Sequence, residues 1–408
     1  MLEKEFLEKF SQITLKMGVN LQKDQGLLIV CPVEKHHVAE ALCETAYKMG
    51  AGTVTVRWEC ESIERLNYLH DSQRYLTQVP QWVVKSREYL LQENFCYVAI
   101  SAEDPNCFNG VPADRINKAV QARSKALKKF SDKVMANAIR WCVVSVPTLN
   151  WAKTVFPDSP SPQEDLLDAI AKTMRLDSEN PLLEWEKHVD NLQRRSKILN
   201  DCNFSYLHFT SSSGTDLKVG LADGHNWLSA KEKAQDGLEF IANLPTEEIF
   251  TAPHRLRVDG KVYSAKPLVY NGSVIDNFCL TFKDGKVTDY NAERGYQTLK
   301  ELLDTDQGVL RLGEVALIGK NSPIAQSGIL FYNTLFDENA SCHLAFGKGY
   351  PTTINNSDNM TRQQLKEAGL NDSIEHVDFM IGTCDLKVVG VNKDGSQTTL
   401  FLDGDWVI

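Results

Sequence analysis

The chain has 408 residues, a formal net charge of −10 and 42% hydrophobic residues. This length exceeds the roughly 100–200 residues of one ordinary domain and predicts two domains. The composition is typical of a folded globular protein rather than a disordered or fibrous one. The acidic balance opposes nonspecific binding to nucleic acid, which requires clustered Lys and Arg, so nucleic acid is excluded as the default partner.

The N-terminal segment predicts a helix rather than an export signal. Residues 1–10 mix charged and apolar residues at helical spacing, without the continuous apolar segment of a signal peptide. No run of about 18 apolar residues occurs, which excludes a membrane span. The cysteines form no Cys-x-x-Cys pair, and several, such as Cys31, lie in apolar runs typical of buried free thiols. We therefore expect a soluble, cytoplasmic protein.

The first half, residues 1–199, predicts a doubly wound parallel α/β domain. Short apolar runs, typical of strands that are buried on both faces, alternate with segments of helical periodicity. This alternation predicts a parallel sheet with helices between its strands. The predicted strands are residues 26–31, 52–57, 96–101 and 141–146, and the predicted helices include residues 34–49 and 114–136.

The second half, residues 200–408, predicts a mainly antiparallel sheet with helices. All six Asp-Gly pairs of the chain fall here, Asn271-Gly272 is a further pair of this kind, and such pairs favour tight hairpin turns. They separate segments of alternating polarity, as at residues 274–282 and 286–290. We place the domain border near Leu199, after the polar helical segment 182–196. The pairs begin at Asp223, Asp236, Asp259, Asp284, Asp394 and Asp403.

Several familiar catalytic motifs are absent from the sequence. It contains no phosphate-binding Gly-x-x-x-x-Gly-Lys-Ser/Thr loop, no Gly-x-Gly-x-x-Gly after a strand, no Gly-x-Ser-x-Gly and no His-Glu-x-x-His. Nucleotide binding of these types, a serine nucleophile on an elbow and a one-zinc protease are therefore unsupported. Side chains that are able to bind metals concentrate instead between residues 243 and 379.

The first candidate carboxylates are the adjacent pair Glu247 and Glu248, and Glu314, which lies in an apolar run. Glu247 and Glu248 are adjacent and must project differently, so one can face a site while the other supports it; alternatively, both are solvated. Glu314 lies in a strand-like run and shares a face with Ala316 and Ile318. A buried carboxylate there would need a partner, whereas an edge-strand glutamate would face water.

Residues 337–350 are dense in acids, bases and small residues, a composition typical of a loop at a functional site. His343 precedes a Leu-Ala-Phe turn, and a hydrogen-bonded core histidine is the alternative to a metal ligand. Tyr350 lies between Gly349 and Pro351, where an anchor for the loop is the alternative to a catalytic hydroxyl.

His376 and Asp378 lie two residues apart in a strand-like run, so both project from one face. Such a pair can bind two neighbouring cations, or one residue can orient the other. A hydrogen-bonded pair without metal is the alternative. Together, the candidates supply two imidazole nitrogens and at least three carboxylates, which is a two-metal ligand set that suits Zn²⁺, Co²⁺ or Mn²⁺ better than Ca²⁺.

In five ordered segments of its second half, the chain resembles the metal-dependent, thermophilic-type aminopeptidases, a family that includes aminopeptidase T, aminopeptidase S and PepS. The matching segments are residues 243–248, 264–268, 313–317, 337–343 and 376–382. The resemblance implies a metalloaminopeptidase that carries two divalent ions (Zn, Co, Mn or Mg) in its C-terminal domain. The implied metal ligands are Glu248, Glu314, His343, His376 and Asp378.

The resemblance also implies how these residues act. Tyr350 would lie near the reacting carbonyl. We expect water activated by the two ions to attack the N-terminal peptide bond of a peptide, and a nearby carboxylate, Glu247 or Glu338, to accept the proton. Glu338 is also open as a metal contact, because it lies in the same segment as His343. A homodimer without nucleic acid or membrane partners is implied. The alternatives are a two-metal hydrolase of another amide or ester, and a catalytically silent, metal-binding homodimer.

Overall fold

The computed structural model describes residues 3–271 and 273–408, so Met1 and Leu2 of the predicted N-terminal helix and Gly272 of the Asn271-Gly272 pair lie outside the described residues. The chain forms two compact units, and the predicted border near Leu199 stays a prediction. Unit 1 comprises Met1–Val189, Lys231–Thr246 and Leu330–Leu335, and unit 2 comprises Asp190–Ala230, Glu247–Ile329 and Phe336–Ile408.

The parallel sheet of unit 1 consists of β1 (Gly26–Pro32), β2 (Thr53–Glu59), β3 (Cys96–Ser101) and β4 (Trp141–Ser145). Its order is β2-β1-β3-β4, and every neighbouring pair is parallel. The strands coincide with the predicted ones to within a residue or two at each end. The order reverses between β1 and β3, as a doubly wound sheet requires. The predicted parallel α/β architecture is confirmed.

The helices that precede residue 203 are α1 (Glu3–Ile13), α2 (His36–Lys48), α3 (Glu61–His70), α4 (Gln73–Leu76), α5 (Gln81–Gln92), α6 (Ala113–Met135), α7 (Leu149–Val155), α8 (Pro162–Thr173) and α9 (Pro181–Cys202). Helix α2 buries Val38, Leu42 and Ala46, whose four-residue spacing gives it one apolar face. Leu28 and Val30 of β1 pack with Leu90 of α5. Alternate residues of β1 thus serve the core on one face of the sheet.

The remaining strands are β5 (Tyr206–Thr210), β6 (Asp216–Leu221), β7 (Lys231–Lys233), β8 (Glu239–Ile241), β9 (Ile249–Thr251), β10 (Pro253–Tyr263), β11 (Leu268–Tyr270), β12 (Ser273–Lys283), β13 (Lys286–Arg294), β14 (Leu312–Leu317), β15 (His343–Gly347), β16 (His376–Met380), β17 (Lys387–Val391), β18 (Gln397–Leu402) and β19 (Asp405–Trp406). The later helices are α10 (Tyr296–Leu303), α11 (Pro323–Ser327), α12 (Thr334–Asp337) and α13 (Arg362–Glu367).

Two antiparallel sheets form unit 2. Among the described residues, the larger one has the order β11-β12-β10-β6-β5-β17-β18-β19, with β13 on β12. The smaller one has the order β16-β15-β14-β9, and all of its neighbouring pairs are antiparallel. The predicted change from a parallel to an antiparallel sheet is confirmed, and the smaller sheet carries the candidate site.

The Asp-Gly pairs do not all behave alike. Asp284-Gly285 and Asp403-Gly404 have positive φ at both residues and close the tight β12–β13 and β18–β19 hairpins, as type I′ turns require. Asp259-Gly260 instead lies inside β10, where Gly260 has a φ of +121° and a Cβ would lie 2.1 Å from the backbone oxygen of Asp216. The expectation of a turn is wrong at this pair, because close strand approach requires the glycine.

Two further expectations concern membranes and cysteines. Among the described residues, no helix is both long enough and apolar enough to cross a membrane. Cys31 is buried and forms no disulfide, as the apolar run around it predicts, and the other cysteines are free thiols as well.

A buried arginine connects separate segments of unit 1. Arg140, 2% exposed, precedes β4, and its guanidinium donates hydrogen bonds to the carbonyls of Val19 (3.1 Å) and Asn20 and to Oε1 of Gln25 (2.7 Å). Its Nε lies 3.2 Å from Oδ2 of Asp236. Because these acceptors are far apart in the sequence, Arg140 stabilises the tertiary structure of the unit.

We expect Arg140→Met to lower the free energy of unfolding by about 3 kcal/mol, because it leaves buried acceptors and Asp236 without their charged donor. Urea denaturation followed by tryptophan fluorescence measures the change. The exposed Arg74 of the same unit supplies the matched control, Arg74→Met, with an expected change within about 0.5 kcal/mol. Equal midpoints for the two variants would contradict the role assigned to Arg140.

Candidate metal centre

The candidate site lies on one face of the smaller sheet of unit 2. Strand β14 carries Glu314, β15 carries His343, and β16 carries His376 and Asp378. Glu248 immediately precedes the edge strand β9. Side chains alternate along each strand, so residues two apart on one strand face the same side of the sheet. Residues that pair directly across neighbouring strands also share a face.

The strand register aligns these side chains and leaves space between them. Ala345 of β15 pairs with Glu314 on one side and with Asp378 on the other, so these three residues form one row across the sheet. In the next row, Ala316 pairs with His343. Alanines at these positions fill little volume, so the longer acidic and imidazole side chains can converge above them.

The imidazole of His343 lies at the centre of the cluster. Its Nε2 is 3.1 Å from Oε2 of Glu248, 3.5 Å from Oε1 of Glu314 and 4.0 Å from Oδ1 of Asp378. Glu248, Glu314 and His343 each offer one ligand atom, and these atoms lie within 4.8 Å of one another. His343 is 1% exposed, so bulk water does not solvate this cluster.

The second imidazole faces the other side of Glu314. Nε2 of His376 is 3.8 Å from Oε2 of Glu314 and 3.4 Å from Oδ1 of Asp378. The two carboxylate oxygens of Glu314 therefore face different histidines, Oε1 facing His343 and Oε2 facing His376.

Backbone carbonyls fix the tautomer of both histidines. Nδ1–H of His343 donates to the carbonyl of Glu338 (2.9 Å), and Nδ1–H of His376 donates to the carbonyl of Lys348 (2.6 Å). A carbonyl only accepts hydrogen bonds, so Nδ1 carries the proton in each neutral ring and Nε2 keeps its lone pair. Both lone pairs thus face the carboxylates, as in histidines that bind metals.

A divalent cation fits this donor set. Nε2 of His343 and Oδ1 of Asp378 are buried, and neither makes a well-directed hydrogen bond to the described residues. Such groups are costly to bury without a partner, and a cation among them would satisfy both. Imidazole and carboxylate donors suit Zn²⁺, Co²⁺ and Mn²⁺.

Electrostatic effects on the two histidines are strong. Burial alone would lower the pKa of His343, but the Glu248 and Glu314 carboxylates overcome it and raise that pKa well above its usual value. For His376, burial again opposes protonation, and Asp378 and Glu314 nevertheless raise the pKa to about 9. The cluster therefore has a strong preference for positive charge, which protons or metal cations can supply.

Burial and neighbouring charges also change the pKa values of the acidic residues. Burial raises the pKa of Glu314 to about 7, with a further contribution from the Glu248 and Asp378 charges. Burial and the Asp378 and Glu248 charges raise the pKa of Glu338 well above its usual value. Glu338 is itself buried, and its backbone carbonyl accepts a hydrogen bond from His343, so this residue adjoins the cluster.

The adjacent pair Glu247 and Glu248 is buried rather than solvated, so the solvated alternative does not apply. The backbone N–H of Glu247 donates to Oδ1 of Asn339 (2.7 Å), and this hydrogen bond connects the segment of Glu248 to that of Glu338. Glu314 lies on a central strand, not on an edge, and is buried. A water-exposed glutamate on an edge strand is therefore excluded.

Tyr350 lies beside the cluster. Its ring packs edge-to-face on His376, with centroids 5.1 Å apart, and on Phe250, with centroids 5.9 Å apart. The aromatic contacts position the tyrosine next to a candidate ligand. The segment 337–350 that contains it is not a loop throughout. Its middle part is strand β15, whose backbone pairs with β14 and β16.

Sequence reasoning missed several supporting residues. Asp306 accepts hydrogen bonds from Oγ of Ser373 (2.9 Å) and from the N–H of Ile374 (2.9 Å), which fixes the chain just before His376. Nδ2 of Asn371 donates to the carbonyls of Gly308 (2.8 Å) and Gly347 (2.5 Å). Asp306 starts an Asp-x-Gly turn, a weak local pattern, whereas the partners of Asn371 are remote and leave no trace in the sequence.

A buried cluster of imidazoles and carboxylates on an antiparallel sheet defines a candidate site for a divalent metal. Residues 3–406 match the family described as thermophilic metalloprotease (M29). The chain is 41% identical to Aminopeptidase 2 of Geobacillus stearothermophilus over 406 residues, which cover 99% of this chain and 98% of the relative. It is 36% identical to Aminopeptidase T of Thermus aquaticus over 406 residues, which cover 99% of each chain.

Among solved structures, wild-type AmpT from Thermus thermophilus matches with a TM-score of 0.92 at 35% identity, over 99% of this chain and 100% of that chain. The chain belongs to the thermophilic metalloprotease (M29) family. The resemblance found in the sequence is thereby confirmed, and so is the enzyme class, a metallo-aminopeptidase. A divalent metal is expected from this membership.

Proposed function

We propose that the enzyme removes residues one at a time from the free N-terminus of peptides and that two divalent cations act at its centre. The observation that carries the proposal is the position of Glu314 between two imidazoles. Its Oε1 lies 3.5 Å from Nε2 of His343, and its Oε2 lies 3.8 Å from Nε2 of His376. A carboxylate with one oxygen toward each histidine is suited to bridge two ions.

The distances favour a particular division of the ligands between the ions. Glu248 is 3.1 Å from His343, and Asp378 is 3.4 Å from His376. One ion would thus be held by Glu248 and His343, the other by Asp378 and His376, with Glu314 shared. Each ion then has one imidazole and carboxylate oxygens, which is a donor set that Zn²⁺, Co²⁺ and Mn²⁺ accept.

When bound, the two cations supply an activated water and a polarised peptide carbonyl. Glu338 is the better supported proton acceptor, because its buried carboxyl interacts with Asp378, Glu248 and His343. A general base must be ionised to take the proton from water, and cations bound beside Glu338 would favour its ionised form. Tyr350, held against His376, is placed to donate a hydrogen bond to the oxygen of the reacting carbonyl.

Metal removal tests the proposal. Chelator-stripped protein should release no product from aminoacyl-arylamides or short peptides, and Zn²⁺, Co²⁺, Mn²⁺ and Mg²⁺ are then added back separately. We expect at least one ion to restore release of N-terminal residues, one at a time, while peptides with an acetylated N-terminus stay intact. Full activity in the stripped protein, or cleavage inside acetylated peptides, would contradict the proposal.

Tyr350→Phe tests the hydroxyl. We expect kcat to fall by roughly 10²–10³-fold with little change in KM, because the hydrogen bond acts on charge that develops in the transition state. The phenylalanine keeps the ring contacts with His376 and Phe250, so the metal content should not change. Steady-state kinetics on an aminoacyl-arylamide measure both constants. A variant with the kcat of the parent enzyme would exclude a catalytic role for the hydroxyl.

We also propose that the enzyme is a cytoplasmic homodimer. The cytoplasmic location is supported by the cysteines, which are free thiols even where they are buried, as in a reducing compartment. The dimer is supported by the family resemblance alone. Light scattering coupled to size-exclusion chromatography tests it, and a monomeric mass at micromolar concentration would contradict it.

A further inference from the structure

A cavity of about 350 Å³ lies in unit 1, apart from the metal centre in the sequence. Its floor comes from the C-terminal halves of the parallel strands, with Val30 of β1, Arg57 of β2 and Ala99 of β3. Its walls include Arg87 of α5 and residues of α6. Small-molecule sites commonly have volumes of about 300–1,000 Å³, so the cavity has room for one small ligand.

Arg87 is the unusual residue of this cavity. It is 5% exposed, and its Cζ lies 5.8 Å from the centroid of the Phe130 ring. Within the described residues it makes no hydrogen bond and no ion pair. A guanidinium stays charged at any physiological pH, and a buried charge without an anionic partner is costly. The cavity beside it gives an anion access to that charge.

The other two arginines of the cavity already have carboxylate partners. Arg57 forms an ion pair with Glu59, although its buried Nε has no hydrogen-bond partner among the described residues. Nη1 of Arg123 lies 3.8 Å from Oε1 of Glu64. Glu103 accepts a hydrogen bond from Oγ of Ser101 (2.7 Å).

These pairings leave Arg87 as the lining cation without an ion-pair partner among the described residues, and Glu103 as the lining carboxylate without one. The lining carboxylates of Glu59 and Glu103 would repel a doubly charged phosphate. A monoanion is repelled less by these carboxylates and can still pair with Arg87. The rest of the lining includes Leu127 and Phe130, which offer apolar surface to a hydrocarbon group.

The place of the cavity in the fold supports a ligand as well. The sheet order β2-β1-β3-β4 reverses between β1 and β3, and both strands contribute to the floor. In open α/β sheets, ligands bind at the carboxyl ends of the strands where the strand order reverses. The cavity therefore combines an ordinary location for a ligand with a buried cation that lacks a partner.

We propose that this cavity binds a small organic carboxylate with an apolar body, whose carboxylate pairs with Arg87 and whose hydrocarbon part packs on Phe130 and Leu127. The planar guanidinium is suited to a bidentate contact with the two carboxylate oxygens. All of these residues belong to unit 1, so the site is independent of the proposed peptidase mechanism. Free apolar amino acids and simple organic acids share this chemistry.

Isothermal titration calorimetry tests the site with three probes: 4-methylpentanoate, L-leucine and inorganic phosphate. The full-length protein carries Glu314→Gln, so that cations at the proposed metal centre do not hold the probes. We expect saturable binding of 4-methylpentanoate that Arg87→Met weakens at least roughly tenfold, because a hydrogen bond between charged groups is lost. The exposed Arg74→Met is the matched control and should bind as the parent does.

The probes also identify the source of the carboxylate. Equal binding of L-leucine assigns the site to free amino acids, whereas weak binding of L-leucine assigns it to acids without an ammonium group. Binding of phosphate alone would overturn the proposal, and so would the absence of saturable binding by any probe. Binding that persists unchanged in Arg87→Met would overturn it as well.

A second variant tests the cavity independently, in case Arg87→Met does not fold. Leu127→Trp keeps Arg87 and fills part of the cavity, so it should also abolish binding of 4-methylpentanoate. Far-UV circular dichroism and thermal denaturation confirm that each variant is folded before titration. Unchanged binding in a folded Leu127→Trp protein would exclude this cavity as the site.

Discussion

Glu314→Gln is expected to lower kcat/KM by roughly 10³-fold or more, because metal ions contribute several kcal/mol of transition-state stabilisation and each ~1.4 kcal/mol is a factor of ten in rate. Glu314 is buried on a central strand, and its two oxygens face different histidines. Glutamine keeps the size and one oxygen but loses the negative charge. We therefore also expect the metal content per chain to fall.

Glu293→Gln is the matched control for this variant. Glu293 is an exposed residue of β13 in the same unit, so the same chemical change there should leave both activity and metal content at parental values. Metal content by inductively coupled plasma mass spectrometry and rates on an aminoacyl-arylamide are measured together. A folded Glu314→Gln protein with full activity would remove Glu314 from the metal centre.

Glu338→Gln is expected to lower kcat by about 10²–10⁴-fold while the metal content stays at its parental value, because removal of a general base affects proton transfer. The carboxyl of Glu338 is buried among the charges of Asp378, Glu248 and His343, whereas its backbone carbonyl orients the ring of His343. Glutamine keeps that backbone hydrogen bond. The substitution thus separates proton transfer from metal binding.

Glu247→Gln is the comparison that decides between the two candidate bases. Glu247 is buried, and its backbone N–H donates to Asn339, whereas the carboxyl of Glu338 interacts with the charges of Asp378, Glu248 and His343. We expect a loss of activity well below that of Glu338→Gln. A larger loss in Glu247→Gln would transfer the role of base to Glu247, and loss of metal from Glu338→Gln would make Glu338 a ligand.

Local patterns in the sequence account for much of the site. The two-residue spacing of His376 and Asp378 predicts a shared strand face, and both residues lie on that face of β16. The apolar run around Glu314 predicts a buried strand, and β14 is buried along its whole length. In both cases a short period along the chain determines the direction of the side chains.

The arrangement of the strands could not be predicted in the same way. Ala345 lies between Glu314 and Asp378 because of strand register, and register depends on partners that are remote in the sequence. Asp259-Gly260 shows the same limit, since the glycine serves the approach of β6 to β10 and not a turn. The lack of an ion-pair partner for Arg87 is likewise invisible in a sequence, because it depends on the groups around the side chain in the fold.

Crystals grown with Zn²⁺ provide the most direct test of two ions at one centre. Anomalous diffraction data recorded above and below the zinc absorption edge locate the ions independently of any model of catalysis. We expect two peaks, one beside Glu248 and His343 and one beside Asp378 and His376, with Glu314 in contact with both. A single peak, or peaks away from these five residues at full enzymatic activity, would contradict it.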